Sequence, residues 1–126
     1  MNFLTTIVAT SLTLAAASTW ASGEETYKAV CANCHAKGVA NAPQVGDSAK
    51  WAPLIAEGQV VLTAHGYVGV RAMPPKGGKP DLTVQGFSEA LNHMVNQSGG
   101  NWKTPSSKTL KDIEAEIARR QKGNKS

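Results

Sequence analysis

Apolar side chains recur every three or four residues in several stretches of this chain, and in one stretch they run almost unbroken. The unbroken run is residues 3–17, apolar or small and without charge. It leads to Thr19-Trp20-Ala21, a small-x-small site just before Ser22. That pattern predicts a secretory signal peptide over residues 1–21, cleaved to leave residues 22–126. The run is short for a membrane span and carries several Thr and Ser. No Lys or Arg precedes it, so an uncleaved N-terminal anchor is the alternative.

The periodic stretches predict helices. Residues 24–36 place Tyr27, Val30, Cys31 and Cys34 on one stripe, with Glu24 and Glu25 in the first turn, where they favour the helix dipole. Gly38 marks the stop. Residues 39–47 read as a loop directed by Pro43 and Gly46. Two short helices follow, over residues 50–57 and 59–66. Trp51 and Leu54 form the apolar side of the first, with Pro53 in its first turn, and Val60, Val61 and Leu62 supply burial for the second. Residues 67–72 lead out as loop. Residues 83–97 form a long helix with Thr83 as N-cap and Val84, Phe87, Leu91, Met94 and Val95 as its stripe. A linker holding Trp102 and Pro105 precedes a last helix over residues 109–121. Leu110, Ile113 and Ile117 line that helix, and Thr109 with Asp112 resembles a capping box. All predicted elements are helices, in one domain over residues 22–100 with an extension over 101–126.

Composition narrows the chemistry. The chain has 126 residues, 41% hydrophobic and 17% charged, as a globular protein does. Aromatic residues are scarce at 6%, so a short chain of this kind gains from a buried prosthetic group. The net charge of +4 is too small and too scattered to suggest nucleic acid. Most of it lies in the extension, which from Ser106 onward holds six Lys or Arg against three acids.

Against that background Cys31-Ala32-Asn33-Cys34-His35 stands out. It is C-x-x-C-H, the attachment signal for c-type haem. Residues three and four apart share a helix face, so both thiols and the imidazole can address one porphyrin. The thiols would form thioethers with the vinyl groups, and His35 would take one axial site on the iron. Three other readings fit less well. A zinc site lacks its second ligand pair, because His65 and His93 stand alone. A thioredoxin-like motif lacks its strand-rich surroundings. A disulfide would leave His35 unexplained, and the chain has no other Cys. Further on, Ala72-Met73-Pro74-Pro75-Lys76-Gly77-Gly78 cannot form regular structure. Proline beside Met73 lowers the entropy cost of holding its side chain still, as a second axial ligand requires. A lone Met is more often core filling, and Met94 on its apolar stripe is read that way. His65 and His93 remain alternative sixth ligands.

Taken together these pieces resemble a class I c-type cytochrome, and within that class the cytochrome c5 group. The match runs from Gly23 to about Gly99: the Tyr27-containing helix, Cys31 to His35, the loop through Pro43, Lys50-Trp51-Ala52-Pro53, the Met73-Pro74-Pro75-Lys76-Gly77-Gly78 run and Pro80-Asp81-Leu82. The resemblance implies an all-α cytochrome c fold, short helices wrapped around one covalently attached haem c. It implies thioethers from Cys31 and Cys34, His35 and Met73 as axial ligands, and the Pro43 carbonyl as hydrogen-bond acceptor for His35. It also implies that the first and last helices of the domain cross near Tyr27. Three departures are visible. The pair of Cys that the group often carries between the methionine loop and the last helix is missing from residues 79–82. His93 stands where an aromatic residue is common, exposed or bonded across the helix crossing. The chain also continues past the domain.

Function follows from the coordination. Iron held by His and Met has no open site and changes valence with little change of shape, which suits a one-electron carrier in a periplasmic or respiratory chain, not an enzyme. Its partners would be redox proteins, with no nucleic acid and no small-molecule substrate. Basic groups such as Lys76 and Lys79 would steer an acidic partner. The extension reads either as a solvated helix packed back on the domain or as a docking element for an acidic partner or an anionic membrane surface. The alternative function is a gas-binding or sensing haem protein with a displaceable sixth ligand. A peroxidase-like enzyme is a third class, but no distal His–Arg arrangement with meaningful spacing is found, and Arg71 beside Met73 does not make one.

Overall fold

The first helix, α1, is built from three consecutive pieces: Gly23–Thr26, a π-helical turn at Tyr27–Cys31, and Ala32–His35. Ser22 caps it, accepting from the Glu25 backbone N–H at 3.2 Å while Glu25 Oε2 accepts from the Ser22 N–H at 2.7 Å. This reciprocal pair is a capping box, so the helix starts one residue before the predicted Glu24. The π turn is the larger departure from the sequence reading. It inserts one residue into the helical repeat, marked by the Ala32 N–H bonding to the Tyr27 carbonyl. Thr26, Cys31 and His35 are thereby buried on one side, while Cys34, expected on the apolar stripe, is exposed.

The computed structural model describes residues 22–124. The predicted signal peptide at 1–21 lies outside the described residues. Four more helices follow α1: α2 at Ser48–Ala56, α3 at Gln59–Val68, α4 at Val84–Asn96 and α5 at Ser107–Gly123. Short turns occur at Val39–Asn41 and Pro75–Gly78. No named β-strand occurs among the described residues; Val70 and Met73 form one isolated bridge. None of the described helices is long and apolar enough to cross a membrane.

Several predicted boundaries move, each for a local reason. Asp47 caps α2 by accepting from the Lys50 N–H, so Pro53 lies beyond the first turn, inside the helix. Tyr67 is helical, because α3 continues to Val68. Ser106, not Thr109, caps α5, accepting from the Thr109 N–H at 3.1 Å; Thr109 belongs to the first turn. Thr83 caps α4 through the Gly86 N–H at 3.0 Å.

Helices α1 and α4 cross with backbones in close approach. A Cβ at Gly23 would overlap the Glu89 carbonyl, so only glycine permits this spacing. At the same crossing the Tyr27 and His93 rings sit 5.1 Å apart, tilted by 37°. The main core gathers Cys31, Trp51, Leu62, Leu82, Phe87, Leu91, Met94 and Val95. A second core joins α3 to α5 through Ala64, Ile113 and Ile117, with Val60, Tyr67, Val68, Val84 and Leu110 packed around it. The extension therefore lies back on the domain. Its linker is held by amides: Asn96 Nδ2 donates to the Trp102 carbonyl, and Asn92 Nδ2 and Gln59 Nε2 both donate to the Lys103 carbonyl, each at 2.9 Å.

Candidate haem site

His35 closes α1 and is buried. Its Nδ1 lies 2.9 Å from the Pro43 carbonyl oxygen. A carbonyl can only accept, so Nδ1 carries the hydrogen and Nε2 keeps its lone pair for a metal. The loop that delivers Pro43 is fastened twice more. The Val45 N–H donates to the His35 carbonyl at 2.8 Å, and Trp51 Nε1 donates to the Gln44 carbonyl at 3.0 Å. The Trp51 ring also lies 6.1 Å from the imidazole. From the sequence Trp51 is the apolar side of a helix and part of the match at residues 50–53; its N–H gives no signal there, because the acceptor is a backbone atom.

Cys31 and Cys34 form no disulfide with each other. Burial pushes the Cys31 thiol up to about 11. Cys34 is exposed beside it. Met73 stands at the end of a tight turn, with Val70 and Met73 exchanging backbone hydrogen bonds at 3.1 and 2.9 Å. Arg71 in that turn and Lys76 just beyond it both have left-handed backbones, at φ 51° and 56°. Such residues cost free energy and persist where their surroundings hold them. Here the Lys76 ammonium donates to the Pro80 carbonyl at 2.9 Å and lies 5.1 Å over the Tyr67 ring. The Tyr67 hydroxyl donates to the Leu82 carbonyl at 3.2 Å.

Met73 is half-buried and packs on the same core as Cys31. A Cβ at Gly66 would lie 3.7 Å from the Met73 methyl and 2.8 Å from Phe87 Cζ, so α3 presents a bare backbone to both. The structure thus brings His35 to Pro43 and sets Cys31 and Met73 on one core. The other candidate ligands are engaged elsewhere. His65 Nδ1 lies 2.7 Å from Glu57 Oε2, His93 stacks on Tyr27, and Met94 is in the core at 2% exposure. Among the described residues, no three His, Cys, Asp or Glu side chains come together as a metal site. The donor set of two cysteines outside any disulfide, one imidazole held through Nδ1 and one thioether matches what a covalently held haem takes from a protein.

Comparison with known proteins agrees with that chemistry. Residues 18–94 match the family model described as cytochrome C oxidase, cbb3-type, subunit III. Cytochrome c-555 of Chlorobaculum thiosulfatiphilum is 49% identical over 82 residues, which is 62% of this chain and 95% of that protein. The chain belongs to the class I c-type cytochromes. Cytochrome c5 of Azotobacter vinelandii is 39% identical over 75 residues, 58% of this chain and 90% of that one. A chain from the crystal structure of the electron transfer complex of nitrite reductase with cytochrome c is similar at a TM-score of 0.58 and 41% identity, covering 60% of this chain and 93% of that chain. Within the class this cytochrome falls in the c5 group, has the all-α cytochrome c fold, carries covalently attached haem c and is a mono-haem electron carrier. The family match ends at residue 94, before the linker and α5.

Proposed function

We propose that this cytochrome carries single electrons between protein partners in the periplasm, with Cys31 and Cys34 as thioether anchors and His35 and Met73 as axial ligands. The observation that carries the reading is the His35–Pro43 contact at 2.9 Å, which fixes one tautomer of a buried imidazole directly after C-x-x-C. When bound, haem supplies a one-electron valence change at nearly constant shape. The chain's own residues do the rest. Pro43 and Trp51 hold His35 in orientation. The Val70–Met73 turn, Phe87 and the bare backbone at Gly66 hold the Met73 thioether. The apolar core around Cys31, Leu82 and Leu91 excludes water, which disfavours extra charge at the centre and so favours the reduced state.

The chain is read as a carrier and not an enzyme, because both axial positions have a named occupant. The closed turn at Val70–Met73 and the Lys76 clip favour this over the gas-binding alternative. Periplasmic location rests on the pattern of residues 1–21 and on the export that attachment to C-x-x-C-H requires. Acidic redox proteins are the proposed partners, nitrite reductase among the candidates by similarity. Lys79 is less available for steering than sequence suggests, since it pairs with Asp81 at 3.2 Å, whereas Lys76, bonded to the neutral Pro80 carbonyl, keeps its charge. A potentiometric titration of the haem spectrum tests the carrier reading. A single reversible one-electron wave is expected; hysteresis, or a wave that moves under carbon monoxide, contradicts it.

A further inference from the structure

Helix α5 lies outside the family match, yet its two buried isoleucines, Ile113 and Ile117, sit against α3. We infer that α5 buttresses the wall that holds Met73, and so sets how readily another ligand reaches the sixth position of the iron. The inference rests on the reading of Met73 as the axial ligand. Three observations carry it. On one side of α3, Ala64, Tyr67 and Val68 pack on Ile113 and Ile117. On the opposite side, Gly66 faces Phe87 and the Met73 methyl. A side chain on α5 and the methionine are therefore separated by the thickness of one helix. The second observation is the linker. Gln59, the first residue of α3, and Asn92 of α4 share the Lys103 carbonyl, which fixes where α5 begins. The third is the loop. Its left-handed Arg71 and Lys76 need outside support, and Tyr67, which Lys76 covers, belongs to both cores. If α3 shifts or frays, the turn that begins directly after Val68 loses its anchor.

The test uses the full-length ferric holoprotein and exogenous imidazole, which competes for the sixth position. Ile113→Ala/Ile117→Ala is expected to bind imidazole about tenfold more tightly, the factor that about 1.4 kcal/mol of easier loop opening produces. Amide exchange in α3 should quicken with it while exchange in α1 does not. Asp47→Ala removes the α2 cap, outside both cores and away from the α3–α5 seam, and serves as the control for general destabilisation. Equal affinity in the double variant and the wild type overturns the buttress, as does an Asp47→Ala protein that binds imidazole as tightly as the double variant. If the double variant does not fold, Leu110→Ala, half-buried at the same seam, is read by the same criterion. A wild-type ferric protein lacking the far-red band of a Met–iron bond would sink the ligand assignment and this inference with it. A wild type that has the band, with variants that leave affinity unchanged, sinks only the buttress.

Discussion

Replacing Trp51 by Phe isolates the support behind the proximal histidine. Trp51 is 2% exposed, and its Nε1 is the donor that holds the Gln44 carbonyl, one residue past Pro43. Loss of that partly buried hydrogen bond costs about 1 kcal/mol. The smaller ring also gives up roughly 1 kcal/mol of apolar burial and leaves a void, which adds a cavity term of similar size. The sum is about 2–3 kcal/mol, which for a domain of this size corresponds to roughly 10–20 °C in Tm. Thermal unfolding followed by Soret absorbance and far-ultraviolet circular dichroism reads it directly. The loop should also loosen, so the Pro43 carbonyl accepts the His35 Nδ1–H less firmly and the imidazole becomes less basic. The reduction potential should then rise, because a less basic imidazole favours the ferric state less. A Trp51→Phe protein within about 3 °C of the wild type would refute the idea that this indole anchors the Pro43 loop.

Other outcomes follow from the same geometry. Cys31→Ala and Cys34→Ala should each leave haem on a single thioether and lower the yield of covalently loaded protein, read by mass and by haem stain on a denaturing gel; full loading in either variant contradicts the assignment. Ser106→Ala should destabilise by about 1 kcal/mol through loss of the α5 cap, whereas Thr109→Ala should cost less, reversing the order a Thr109 cap implies. Lys79 holds the Asp81 carboxyl below its ordinary value, mainly through their hydrogen bond. A depressed carboxyl contributes stability above its unfolded value and loses it as pH falls through the folded one. Lys79→Ala should therefore raise the Asp81 titration midpoint measured by carbon-detected NMR, with only a slight effect on overall stability because the pair is exposed.

Much of this could be seen in the sequence because covalent and ligand chemistry demands fixed residue types at fixed spacing. Cys31, Cys34 and His35 are defined by C-x-x-C-H, and a methionine among prolines draws notice for the same reason. Apolar periodicity locates the helices; their ends lie elsewhere where another residue caps, as at Ser106, or where the helix runs on past its apolar stripe, as at Val68. The π turn at Tyr27–Cys31 was not legible. It adds one residue to the helical repeat, and no side chain announces that change. The amides that pin the linker, Gln59, Asn92 and Asn96, were equally silent. Their acceptors include backbone carbonyls many residues away, and a backbone atom carries no sequence signature. The outcome for α5 needed tertiary contacts too, since its narrow stripe of Leu110, Ile113 and Ile117 is as compatible with a partner as with α3.

The most direct test of the account is the optical spectrum of the ferric holoprotein, wild type and Met73→Ala, together with carbon monoxide added to the reduced wild type. The account predicts a weak far-red band in the wild type, its loss in Met73→Ala, and no binding of carbon monoxide while Met73 is in place. A wild-type protein without the band that takes up carbon monoxide at once would contradict it, and would turn the electron carrier into a haem protein with an open iron.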